Sequence, residues 1–117
     1  MTAADRSRYH HPDLRAALLE HGIALARAGG PAAVSLRDVQ RRAGVSNSAA
    51  YRHYADRAAL LDAIAVRAAA ELSTRMRAEL AGVPAGGPPA DVARARVRAL
   101  GRVYIHFALA EPGLFAT

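Results

Sequence analysis

The chain has 117 residues, a net charge of +6 and no cysteine. That excludes disulfides, cysteine-ligated metals and thiol chemistry, and the uncharged apolar run near the end, VYIHFALA, is too short to span a bilayer. All sixteen of its strongly basic residues are arginine, which grips phosphate with paired donors and stacks on bases, so the expected partner is an anion, with nucleic acid first.

Residues 1–11 read as a polar arm carrying Arg6, Arg8, His10 and His11. They do not form a signal peptide, and no carboxylate or third histidine stands at metal-ligand spacing from the histidine pair. A first helix follows, with Pro12 in its first turn and Asp13 at its positive end. Leu14, Ala17, Leu18, Leu25 and Ala28 recur on one face, and Gly29-Gly30-Pro31 stops the helix. Ser35 caps a short second helix, with Asp38 as a capping-box partner. Leu36, Val39 and Ala43 point inward, and Gly44 ends that helix.

Ser46 caps a third short helix, from Asn47 to about His53. Asp56 caps a fourth, whose apolar pattern runs through Leu60, Leu61, Ile64, Ala68, Leu72, Met76 and Leu80 to about Ala81. GVPAGGPPA, residues 82–90, has three prolines and three glycines, and no helix crosses it. A fifth helix starts near Ala90, with Val92, Ala99, Leu100, Val103 and Phe107 on or near one side, and ends at Pro112-Gly113. No strand pattern occurs, so the fold class is all-α. Hydrophobic residues make up 52% of the chain, much of it alanine, which requires closely packed helices to bury enough surface.

Two short helices joined around Gly44 form the pattern of a helix-turn-helix. The tight turn needs a residue that accepts positive φ. The close crossing needs small or apolar contacts, which Val39, Ala43, Val45 and Ala50 supply. The outer face of the second helix must enter a groove about 12 Å wide, and Asn47, Ser48, Ala49 and Arg52 form that face. Tyr51, His53 and Arg57 flank it with reach toward a backbone, and free N–H groups at helix starts add phosphate donors. Tyr54 reads as a packing residue. Ser46 and Ser48 lie near His53 without an oxyanion loop or a third partner, so no catalytic set is expected. The glycine-rich loop at 82–89 lacks the Lys-Ser/Thr of a phosphate loop.

Residues 35–64, SLRDVQRRAGVSNSAAYRHYADRAALLDAI, resemble the DNA-binding region of the TetR family of bacterial regulators. The matching pieces are Ser35-Leu36-Arg37-Asp38-Val39, Ala43-Gly44-Val45-Ser46, Tyr51-Arg52-His53-Tyr54, Asp56-Arg57 and Leu60-Leu61. LGRVYIHFALAEPGLF, residues 100–115, more loosely resembles the start of a TetR-type C-terminal domain. The resemblance implies that Asn47, Ser48, Ala49 and Arg52 face bases, and that Ser35, Ser46, Tyr51, His53 and Arg57 hold phosphates. It implies a repressor that binds a palindromic double-stranded operator as a homodimer and is released by a small-molecule effector; with neither signal peptide nor membrane span in view, the expected location is the cytoplasm.

On that reading the arm (1–11) precedes a helix-turn-helix domain (12–56), a connecting helix (57–81), a loop (82–89) and the beginning of a regulatory domain (90–117). Tyr104, His106 and Phe107 are candidates to line its pocket. The family's dimerising helices would fall beyond Thr117, leaving apolar surface open near Val103 and Phe107. Two positions depart from the family pattern. Gln40 stands where alanine is usual at the helix crossing, and Arg57 where lysine is usual. The competing reading is a helical protein-interaction module with an incidental basic surface. Preference for a palindromic duplex over random DNA in added salt separates the two.

Overall fold

Three helix starts in this chain fall on side-chain caps. The computed structural model describes residues 13–117; the arm with Arg6, Arg8, His10 and His11, and the proline at position 12, lie outside them. The described helices are α1 (Asp13–Gly29), α2 (Leu36–Ala43), α3 (Asn47–His53), α4 (Arg57–Ala81), α5 (Pro89–Ala110) and α6 (Pro112–Phe115), with a 3-10 turn at Pro31–Ala33. No strand occurs among the described residues.

Ser35 Oγ accepts from the Asp38 N–H at 3.2 Å, Ser46 Oγ from the Ala49 N–H at 3.2 Å, and an Asp56 carboxylate oxygen from the Ala59 N–H at 2.8 Å. Each satisfies a backbone donor that a helix start leaves unpaired. Asp38 does not complete a capping box; its carboxylate turns to Arg41 instead. Gly44 closes α2 in the left-handed region, φ 68°, and its N–H donates back to Arg41 and Gln40 carbonyls. We expect Ser46→Ala to cost about 1 kcal/mol, read as a lower urea midpoint at unchanged slope; no change would mean that the cap contributes nothing to α3.

The core lies where α1, α2, α3 and α4 meet. Leu18, Val39, Ala50, Leu60 and Ile64 are fully buried there. The inner face of α1 differs from the expected one at three positions: Ile23 and Ala26 are buried, while Ala28 is exposed. Gly22 lets α1 approach α4 closely, and Gly113 of the last helix packs on the Ala26 backbone. A Cβ at Gly22 would stand 3.1 Å from Ile64 Cδ1 and 3.2 Å from Leu60 Cδ1. Salt links run along the same seam, from Arg67 to Glu20 at 2.9 Å and from Arg27 to Glu71 at 3.5 Å. They are largely exposed and add little stability.

Beyond the core, α4 continues for a total of 25 residues and α5 folds back against it. Ala99 and Phe107 of α5 are buried, with Val92, Leu100 and Val103 partly so. The apolar surface left most open on α5 is therefore not at Phe107, which is covered, nor at Val103, which is open only in part. It lies on the opposite side, at Val97, Tyr104, Ile105 and Leu109, because the helix turns its 103/107 side toward α4. Pro112 does not simply end α5. It starts α6, which packs back on α1 and buries Leu114.

Candidate nucleic-acid interface

The α2–α3 unit presents one polar, basic face. Alternate positions explain why. Ala50 is the inward residue of α3 and has no exposure. Asn47 and Tyr51, and beside them Ser48 and Arg52, are i, i+4 pairs that stack into two neighbouring rows on the outside, and all four are exposed. The end nearest the Ser46 cap carries only short side chains, so a groove floor can come close there. The long ones, Tyr51 and Arg52, stand one turn further on. Ala49 and His53 are partly exposed at the sides of this face. The structure thus brings Asn47, Ser48 and Arg52 together on one outward surface, with Ala49 at its margin.

The flanking residues have visible structural duties. Ser35 and Ser46 are the N-caps of α2 and α3, so their hydroxyls already accept a backbone N–H. Tyr51 remains 47% exposed, which leaves its hydroxyl free to bond outward. Arg57, in the first turn of α4, donates from Nε to the Val34 carbonyl at 2.9 Å and from Nη2 to the Pro31 carbonyl at 2.5 Å. Its guanidinium ties the 3-10 turn to the start of α4. Spacing along the chain held no signal for this link, because it joins residues 23 and 26 positions apart.

Gln40, the departure at the helix crossing, is accommodated: it is partly exposed, and its carbonyl accepts from the Val45 N–H at 3.3 Å across the turn. Tyr54 is a packing residue, 2% exposed, and burial pushes its phenol pKa up, with the nearby Arg15 charge opposing. Arg15 was not among the sequence candidates. Its guanidinium lies 4.7 Å from the centre of the Tyr54 ring and donates to the His53 carbonyl at 2.7 Å.

Tyr104, His106 and Phe107 occupy three different surroundings. Phe107 is in the core with the Arg75 guanidinium 5.4 Å from its ring centre. Tyr104 is exposed and stacks edge-on with Phe115, ring centres 5.3 Å apart. His106 alone lines an open groove of about 500 Å³ between α4 and α5, with Arg75, Glu79, Arg102 and Val103. Among the described residues no cluster of three histidine, aspartate or glutamate side chains could hold a metal ion, and no helix is long and apolar enough to cross a membrane.

Residues 18–64 match the family model described as bacterial regulatory proteins, tetR family. A solved structure of a protein with unknown function from Rhodococcus sp. RHA1 is similar, with 37% identity and a TM-score of 0.75 over 92% of this chain. The chain spans about half the length of that structure, 53%. No curated protein matches.

Proposed function

We infer, from the match of residues 18–64 to the tetR family of bacterial regulatory proteins, that α3 is the element that reads the duplex. The protein is a DNA-binding transcription regulator of the TetR type. The observation that supports placing the reading on α3 is its outward face. It has short polar side chains at the capped end and an arginine one turn on, backed by a buried alanine. Asn47 can donate and accept at a base edge, and Arg52 can pair with guanine. Ser48 and Ala49 set how closely the helix seats.

Ser35, Ser46, Tyr51, His53 and Arg57 hold the backbone on both sides and fix the register. Arg57 does so while anchored: two carbonyls take two of its donors, and a guanidinium has five. Residues 12–56 act as the reading domain, 57–81 as the connecting helix, 82–89 as a loop and 90–117 as the start of the regulatory part. One copy of α3 reads few bases, so two copies related by a twofold axis read a palindrome, with half-sites about 34–36 Å apart or overlapping. A small-molecule effector, held in the α4–α5 groove beside His106, releases the operator, and the protein works in the cytoplasm as a repressor without catalysis.

Selecting duplexes from a random pool tests this reading. The enriched pool should show a palindrome. Asn47→Ala should cost about 1–3 kcal/mol at one position per half-site and relax the base preference there. A uniform loss over all duplexes would mean that Asn47 seats the helix and reads nothing. An unenriched pool would favour the protein-interaction reading.

A further inference from the structure

The seven residues of α3 make two turns, too few to hold their own direction in water. Its start is fixed by the Ser46 cap and by the Val45 N–H bonded to the Gln40 carbonyl. Its end needs another support, because the last carbonyls of a helix have no partner within it. The Tyr54 N–H closes on the Ala50 carbonyl at 3.1 Å. The His53 carbonyl receives Arg15 Nη1 at 2.7 Å, a cation at the negative end of the helix.

Arg15 and Tyr54 also hold each other. The guanidinium stacks on the ring at 4.7 Å from its centre, and the Tyr54 hydroxyl donates to the Arg15 carbonyl at 3.2 Å. Three contacts therefore join α1 to the end of α3, between residues 38 and 39 positions apart in the chain. The ring is 2% exposed and anchored in the core.

We propose that Arg15 and Tyr54 are a positioning pair that sets the angle of α3 against α1 and thereby its selectivity among duplexes. The pair touches no base. It acts through the direction of Asn47, Ser48 and Arg52, whose base-edge hydrogen bonds weaken steeply when misaligned. The charge of Arg15 serves the protein, so its loss leaves the salt response of binding unaltered. The proposal rests on α3 as the reading helix.

Tyr54→Phe keeps the ring and removes only the hydroxyl; Arg15→Gln removes the stack and the charge-assisted donor. Both variants and the double variant are titrated, below their unfolding transitions, with a duplex selected by the parent protein and with a shuffled duplex of the same composition. Each single change should weaken the selected duplex about threefold to tenfold, one hydrogen bond's worth. The shuffled duplex and the slope of log K against log salt should stay as in the parent. The double variant should lose less than the sum, since the two residues form one unit, and Arg15→Lys should restore part of the loss.

Hydrogen exchange of the α3 amides in the free protein should quicken in both single variants. Unchanged affinity for the selected duplex overturns the proposal. So does an equal loss on both duplexes with the slope flattened by about one unit per half-site, the mark of a lost phosphate contact. A parent protein that shows no preference between the duplexes would instead refute α3 as a reader. The exchange measurement would still judge the pair, and unchanged exchange would overturn it.

Discussion

Leu60→Ala is expected to remove about 2–5 kcal/mol of stability, the cost of emptying a fully enclosed leucine site. Leu60 has no exposed surface and sits where α1 crosses α4, with its methyl groups under the bare backbone of Gly22. The approach there is already tight, so neither helix can close in on the lost volume without moving the other. A domain of this size has about 5–15 kcal/mol in total, so a single truncation consumes a large share of it. Chemical denaturation followed by circular dichroism measures this as a lower midpoint at similar slope. Val66→Ala on the same helix is the control: Val66 is 70% exposed, and its loss should stay within about 0.5 kcal/mol. Equal effects of the two substitutions would show that the α1–α4 crossing is not the core.

The second large effect is expected at Gly113. The glycine packs so closely on α1 that a Cβ would stand 2.0 Å from the Ala26 carbonyl oxygen and 3.2 Å from that of Arg27. Both neighbours are backbone, so no side chain can swing aside. Gly113→Ala must therefore push α6 away from α1. Overpacking of this kind costs about 1–3 kcal/mol or more. Leu114, now 3% exposed, would lose its cover, and the link from Arg27 to Glu111, 3.2 Å, would open. Hydrogen exchange should locate the change in α6 and the facing turn of α1. A variant with the parent's stability and exchange would mean that α6 is not docked in solution.

What could be read from the chain was local. Ser35, Ser46 and Asp56 cap helices because a side-chain oxygen three residues before a free N–H reaches it in almost any surroundings, and the three caps bond as expected. Gly44 takes φ 68° because the turn demands it. Proline and glycine between 82 and 90 break the helix for covalent reasons. The burial of Ala50 was likewise legible, since the close crossing of α2 and α3 needs a small residue there, whereas Ala49, read on the outer face, lies at its margin.

The rest depends on contacts between distant residues. That Ala26 and not Ala28 is buried goes with α6, whose Gly113 packs directly on the Ala26 backbone. That α5 turns Phe107 toward α4 and leaves Tyr104 and Ile105 outside depends on how the loop at 82–88 delivers it. Arg57 reads in sequence as a free cation with one use, yet the Pro31 and Val34 carbonyls take two of its donors. Arg15 carries no motif at all. Its role comes from a carbonyl and an aromatic ring that only the folded chain brings to it.

The most direct measurement for the reading of DNA by α3 is a competition titration of the protein with a selected duplex and its shuffled counterpart at rising salt. Phosphate contacts alone bind both duplexes and weaken together as counterions accumulate. Base reading adds a difference that salt does not remove. The account predicts that both affinities fall along similar slopes while the selected duplex keeps its advantage throughout, and that Asn47→Ala and Arg52→Ala shrink that advantage without changing the slopes. Equal binding of the two duplexes at every salt concentration would contradict it.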